Sequence, residues 1–274
     1  MPPHIRPKKS LGQHFLRDDG VHEDILHWSQ LKRSDRVLEI GAGDGTITRS
    51  LAERVKHVVA VETDRRCLRL LRKEFPPGGN VDVVEADILA YDLLSLETLA
   101  PLKVVADLPY NIATAVLDRL LSSARLFPLM VLMFQKEVAQ RLTAEAGSKN
   151  YGSLTLATRY RAEVELVRTV SPGAFVPPPK VESALVRVVP RKAPLLPPQA
   201  EKVFSLLVRA GFRQRRKTFL NSLSRAGSPM PVETVRGAME TLSLSEKVRA
   251  EAISFENFLR LGEIVGGAGG GERR

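Results

Sequence analysis

Arg36-Val37-Leu38-Glu39-Ile40-Gly41-Ala42-Gly43-Asp44-Gly45-Thr46 runs from a short, largely apolar segment straight into three glycines set one residue apart. A strand that passes through a glycine loop into a helix predicts the first βα unit of an open sheet, which binds ligands at the carboxyl ends of its strands. The pattern then repeats. His57–Glu62 is a second, valine-dense strand, and Asp64 stands where it can cap the next helix, which ends at Pro76-Pro77-Gly78-Gly79. Val81–Glu85 is a third strand, followed by Asp87, and Lys103–Ala106 a fourth, followed by Asp107. Ala113–Ser122 reads as a helix, Leu129–Phe134 as a uniformly apolar, doubly buried strand, and Glu137–Glu145 as another helix. Val21–Leu31, ahead of the first strand, also has helical spacing. The alternation predicts right-handed βαβ units and a mostly parallel sheet.

After a helix over Gly152–Tyr160, Glu163–Val170 and Ser183–Val189 read as an antiparallel pair at one edge. Phe175-Val176-Pro177-Pro178-Pro179-Lys180 between them suits neither helix nor central strand. Pro190–Pro198 is a linker. Beyond it, Gln199–Ala210, Phe212–Arg225, Pro231–Thr241 and Ser254–Ile264 read as four helices. The expected organisation is an α/β fold in which residues 1–20 form a basic arm and 21–190 a Rossmann-like domain; residues 191–265 form a small all-helical domain and 266–274 a disordered glycine-rich tail.

The 274 residues are 43% hydrophobic, enough for a sizeable core, yet no apolar run reaches the ~18 residues of a membrane span. Met1–Ser10 is basic and proline-rich without an apolar stretch behind it, unlike a secretory signal. A single cysteine, Cys67, excludes an intrachain disulfide and a cysteine-based zinc cluster, and a cytoplasmic location is expected. The net charge of +10 points to a polyanionic partner. Eight basic residues and one acid between Arg191 and Lys217 contribute +7 of it, with a smaller patch at Arg6, Lys8 and Lys9.

The glycine loop has the spacing G-x-G-x-G, not the G-x-G-x-x-G of a dinucleotide fold. Glu39 and Asp44 beside it would repel a pyrophosphate and suit a ligand with positive charge, such as the amine and sulfonium of S-adenosylmethionine. Glu62, at the next strand end, is placed to take both hydroxyls of a ribose, and Asp87 to accept from an adenine N6 amine. Each acid alone is more often a helix cap; together they describe a cofactor crevice. Asp107-Leu108-Pro109-Tyr110-Asn111 adds a second chemistry. The Asp107 carboxylate and the Leu108 carbonyl are two acceptors for one planar NH2 group. Pro109 stiffens the turn, and Tyr110 offers a face for a stacked base. The plainer reading is a strand-to-loop turn with a core tyrosine.

With these motifs the sequence resembles the rRNA adenine N6,N6-dimethyltransferases, and within them the bacterial small-subunit enzymes. The resemblance runs from Lys8-Lys9-Ser10-Leu11-Gly12-Gln13-His14-Phe15-Leu16 through the glycine loop, Glu62, Asp87 and Asp107–Asn111. It continues in Phe175–Ser183 and in Arg213-Gln214-Arg215-Arg216-Lys217-Thr218. It implies an S-adenosylmethionine-dependent methyltransferase acting, as a monomer away from membranes, on 16S rRNA within the small ribosomal subunit. Two adjacent adenosines near the 3′ end would each be methylated twice. His14 and Leu16 would then line the cofactor pocket, with Gly41 and Gly43 at the methionine end, Glu62 at the ribose, Asp87 at the adenine and Asp107 between cofactor and base. Tyr110 and Phe175 are placed to sandwich the base, although Phe175 reads equally well as a core ring, and Arg213, Arg215, Arg216 and Lys217 would hold RNA backbone. His14 stands where asparagine is frequent in the family, and Asp107 where asparagine is usual. The competing readings are the related 23S rRNA adenine dimethyltransferase, a non-catalytic RNA-binding assembly factor and a nicotinamide dehydrogenase. The RQRRKT segment, read as helical, and the basic linker before it favour the small-subunit enzyme.

Overall fold

A computed structural model of the chain describes residues 5, 7–8, 12–225 and 231–268. Arg6 and Lys9 of the basic patch, Ser10 and Leu11 of the arm motif, and residues 269–274 of the expected tail lie outside the described residues. In chain order the first elements are β1 (Phe15–Leu16), α1 (Asp19–Trp28), β2 (Arg36–Ile40), α2 (Thr46–Ala52), β3 (His57–Glu62), α3 (Arg65–Glu74), β4 (Val81–Glu85), β5 (Leu102–Asp107), α4 (Ala113–Ser122) and β6 (Met130–Gln135). They are followed by α5 (Lys136–Leu142), α6 (Ser153–Arg161), β7 (Ala162–Val170), β8 (Phe175–Val176), β9 (Ser183–Pro190), α7 (Pro198–Gly211), α8 (Phe219–Arg225), α9 (Val232–Thr241) and α10 (Phe255–Ala268). None of the described helices is long and apolar enough to cross a membrane. The chain divides into two compact units, Met1–Ala139 with Glu163–Pro190 and Gln140–Ala162 with Arg191–Arg274.

The first unit holds a seven-stranded sheet in the order β4-β3-β2-β5-β6-β9-β7. The five strands from β4 to β6 are parallel, and β9 joins β6 antiparallel. Their sequences are continuous apolar runs because both faces are covered: Val37, Leu38, Val58, Ala60, Val104 and Met130–Phe134 are all buried. From β2 the chain steps outward to β3 and β4, then crosses back to β5 and β6. The reversal opens a crevice at the carboxyl ends of β2 and β5. Register sets its walls, with Ile40 opposite both Val61 and Ala106.

Local chemistry sets the helix starts. The Asp18 carboxylate accepts from the Val21 amide at 2.9 Å, so α1 begins two residues before the periodic apolar pattern does. Asp64 caps α3 through the Arg66 amide, as expected from the sequence. Cys67 lies on the inner face of α3 with Leu68 and Leu71, fully buried, and burial pushes its thiol up to about 12.

The second unit is helical and built around aromatic rings, including a Tyr160–Phe204 stack at 4.9 Å and a Phe219–Phe258 edge contact at 5.6 Å. Gln140–Ala162 groups with it, although the sequence reading places those residues within 21–190, because Tyr151, Leu156 and Tyr160 are buried in the helical core. Two expectations are corrected. The helix expected over Phe212–Arg225 is instead a 3₁₀ turn at Phe212–Gln214, a bend, and then α8. A methyl on Gly211 would stand 2.6 Å from the Phe219 ring, so the chain has folded back to lay that ring on bare backbone. The tail expected from residue 266 is still helix to Ala268, because Gly266 lets α10 approach α7: a methyl there would lie 3.0 Å from the Ala200 Cα. Gly211→Ala is therefore expected to destabilise the protein by about 1–3 kcal/mol through overpacking. Gly237→Ala, in α9 with nothing within 4 Å, should instead stabilise it by up to about 1 kcal/mol. Thermal unfolding followed by circular dichroism separates the two, and equal shifts would remove the Gly211–Phe219 contact as the cause of the break.

Candidate active site

At the end of β2 the chain must turn sharply without leaving the sheet. The Gly41 amide donates to the Val61 carbonyl at 2.9 Å. Gly41 and Gly43 have φ of +78° and +57°, where a side chain would strain the backbone. A methyl on Gly41 would also press on the Asp107 carbonyl at 3.4 Å, so the loop rests on the end of β5.

The Glu62 carboxylate holds this loop. Its Oε2 accepts from the Gly43 amide at 2.8 Å, and Oε1 accepts from the amides of Thr63 at 2.7 Å and Asp64 at 2.8 Å. A carboxylate has about four acceptor positions. Three are filled, which leaves one for a ligand hydroxyl where the sequence reading assigns two. Asp44 also differs from expectation, since it is not an uncompensated acid. Arg17 pairs with its Oδ2 at 2.5 Å, and the Thr46 hydroxyl donates to its Oδ1 at 2.8 Å. The uncompensated acid beside the loop is Glu39, which is 2% exposed and whose Oε2 has no hydrogen-bond partner among the described residues. Burial, with Glu62 and Asp44 nearby, pushes its carboxyl up to about 8. Asp87 opens the turn after β4, where its Oδ1 accepts from the Leu89 amide at 2.9 Å.

On the other side of the crevice, β5 delivers Asp107 and the buried Leu108, and the Ile112 amide closes the turn on the Pro109 carbonyl at 3.1 Å. Desolvation pushes the Asp107 carboxyl up to about 7. The Tyr110 hydroxyl and the Ser183 hydroxyl are 2.6 Å apart, and burial raises the phenol above its ordinary value. The arm supplies the third wall. β1 pairs with β8, Phe15 opposite Val176 and Leu16 opposite Phe175. His14 Nδ1 donates to the Pro177 carbonyl at 2.7 Å, which fixes a proton on that nitrogen and leaves Nε2 as the acceptor of the neutral ring. The His14 and Tyr110 rings lie near-parallel, 19° apart in plane and 6.1 Å between centroids. Gln13 ties the arm to α3 by donating to Asp64 at 2.8 Å.

These parts enclose a cavity of about 290 Å³. His14, Leu16, Gly41, Gly43, Glu62, Asp87, Asp107, Leu108, Pro109 and Tyr110 all line it, together with Glu39, Gln13 and Ile88. Phe175 is not brought to it. Pairing with β1 turns this ring inward, 2% exposed, into a core with Leu16, Val170, Ala174 and Leu185, while Val176 takes the outward position. Arg213, Arg215, Arg216 and Lys217 are exposed on the helical unit, and Arg215 already donates to the Lys149 carbonyl at 2.8 Å. The sequence reading missed Arg17, Gln13 and Ser183. Gln13 and Ser183 lie inside recognised motifs and Arg17 stands next to one, but no local signal joins Ser183 to Tyr110. The arrangement suits a ligand carrying positive charge beside Glu39 and Asp107, a hydroxyl at Glu62, and a planar group near Asp87 and the buried Ile88.

Residues 5–265 match the ribosomal RNA adenine dimethylase family. The ribosomal RNA small subunit methyltransferase A of Synechococcus sp. (strain JA-3-3Ab) is 43% identical over 267 residues, spanning 94% of this chain and 93% of its own. That of Clostridium botulinum (strain Loch Maree / Type A3) is 38% identical over 258 residues with the same coverage. Among solved structures, a dimethyladenosine transferase from Plasmodium falciparum superposes with a TM-score of 0.77 at 28% identity, covering 90% of this chain and 96% of its own. The 23S rRNA methyltransferase ErmE superposes with a TM-score of 0.75 at 29% identity, covering 92% and 99%.

Proposed function

This chain belongs to the ribosomal RNA adenine dimethylase family, and from that premise we propose its full reaction: transfer of methyl groups from S-adenosylmethionine to N6 of two adjacent adenosines near the 3′ end of 16S rRNA, each methylated twice. It is an rRNA adenine dimethyltransferase with a Rossmann-like methyltransferase fold and a helical C-terminal part. The small-subunit assignment is supported by curated relatives at 38–43% identity that carry that name. The observation that carries the mechanism is the meeting of two things in one cavity: the Asp107–Tyr110 turn and the acid-flanked glycine loop.

S-adenosylmethionine supplies an electrophilic methyl on a positively charged sulfur. Its charge fits the two acids that lack a cation, and its adenosine fits Glu62, Asp87 and Ile88. The N6 lone pair of adenine is delocalised into the ring, so the amine is a weak nucleophile. Asp107 and the Leu108 carbonyl each take one N6 hydrogen, which favours a pyramidal nitrogen with its lone pair aimed at the methyl. Tyr110, steadied by Ser183, stacks on the extruded base, and stacking of about 1–3 kcal/mol offsets part of the cost of unstacking. Because Phe175 is buried, His14 is the better candidate for the ring opposite Tyr110. As the N6–methyl bond forms, the carbon–sulfur bond breaks, and N6 sheds a proton that the Asp107 carboxylate can accept. Placement and electrostatics supply most of the acceleration.

The direct test incubates the protein with unmethylated small subunits and isotope-labelled S-adenosylmethionine, then maps the label by mass spectrometry. Label on N6 of two neighbouring adenines of 16S rRNA is expected. Label on another base, or only on 23S rRNA when both subunits are offered, would overturn the assignment.

A further inference from the structure

We infer that the outer face of α3 is a second RNA-docking surface, one that grips the phosphate backbone of the small-subunit rRNA from the methyltransferase unit itself. The inference rests on the rRNA substrate proposed above. Cys67, Leu68 and Leu71 occupy the buried side of α3. Arg65, Arg69, Arg72 and Lys73 are all exposed. Their spacing of four, three and one residues puts them along one helix face, a stripe about 12 Å long at 1.5 Å per residue.

The acids near this stripe do not match it. Glu85 serves both Arg65 at 3.0 Å and Arg72 at 3.3 Å. Glu74 is engaged by Arg49 of α2, and Asp64 by Arg66. Arg69 and Lys73 have neither an ion pair nor a side-chain hydrogen bond among the described residues. Exposed pairs of the Glu85 kind contribute little and exchange readily for a stronger anion. Three arginines and a lysine that share one carboxylate fit phosphate, which guanidinium groups bind in bidentate fashion. The stripe also begins at the cavity: Thr63 and Gln13 line it, and Gln13 bonds the cap residue Asp64. A strand whose base enters the cavity therefore has cationic surface immediately beside it.

The test uses the full-length protein and unmethylated small subunits, with affinity measured across a KCl series. Replacing Arg69, Arg72 and Lys73 together with alanine should weaken binding at least tenfold near 0.1 M salt. It should also lower the slope of log affinity against log salt by about two to three, roughly one for each phosphate that is no longer neutralised. Unchanged S-adenosylmethionine binding and an unchanged Tm would show that the site and fold are intact. A control triple, Arg33→Ala, Arg54→Ala and Lys56→Ala, removes the same charge from the loops before β2 and β3, outside the α3 stripe, and should cost far less. A wild-type slope in the α3 variant, or an equal loss in the control, would overturn the docking surface while leaving the enzyme assignment standing. Failure of the wild-type protein to bind small subunits would overturn both.

Discussion

Asp107→Ala is expected to lower kcat/KM for methyl transfer by about 10²–10³-fold, the scale of losing one preorganised group at a reacting centre. Asp107→Asn should retain much more activity, because the amide oxygen still accepts an N6 hydrogen. The two substitutions differ further with pH. Burial lifts the Asp107 carboxyl to about 7, so the group is largely protonated below that pH. A protonated acid has lost acceptor capacity and cannot take the departing proton. The wild-type kcat/KM should therefore fall as pH drops through about 7, by up to tenfold per unit. The asparagine variant should be flat across that window. Stability moves the opposite way. A carboxyl raised on folding contributes stability that is complete below its unfolded value and is lost as pH rises through its folded value. The ligand-free protein should thus lose stability as pH rises from about 4 to about 7, and the asparagine variant should lose less. A pH profile shared by both proteins would remove Asp107 from the proton's path.

Glu62→Gln is expected to weaken S-adenosylmethionine binding by one to two orders of magnitude despite being nearly isosteric. One oxygen of the present carboxylate holds the Thr63 and Asp64 amides, and the other holds Gly43. A glutamine has one acceptor oxygen. If it serves Thr63 and Asp64, its NH2 group faces the Gly43 N–H, and two donors oppose each other. Hydrogen bonds to charged groups contribute about 1.5–3 kcal/mol, so losing one of them and the charge reaches this range. Isothermal titration with S-adenosylmethionine measures it directly. Affinity within twofold of wild type would mean that the loop holds its shape without Glu62.

The crevice was legible in the sequence because a parallel sheet places its loops by rule. Once Arg36–Ile40 is a strand and Gly41–Gly45 a turn, the residues after the neighbouring parallel strands must share one edge. Glu62, Asp87 and Asp107 each stand at such an end, and all three line the cavity. The misreadings have a common cause in interactions that join distant parts of the chain. Phe175 reads equally well as a base-stacking ring or a core ring, and only its pairing opposite Leu16 decides between them. Asp44 reads as a free acid until the arm brings Arg17 to it. The residues around Arg213 read as helix because apolar periodicity is blind to a Phe219 ring that needs the surface of Gly211. Arg215 shows the cost of that blindness. It belongs to a charge run that suggests phosphate, yet part of its guanidinium is already engaged by the Lys149 carbonyl.

The burial of Cys67 has a practical side. It is the only thiol in the chain, it is shut inside α3, and its raised value leaves almost no thiolate at neutral pH. Maleimide reagents should therefore find nothing to modify in the native protein. A cysteine placed at Gly79, in the exposed turn before β4, would be the single labelling point. That turn sits at the amino end of its strand, across the sheet from the cavity. A fluorophore there would report rRNA capture from beside Lys73 at the end of α3, clear of the cavity where the chemistry takes place.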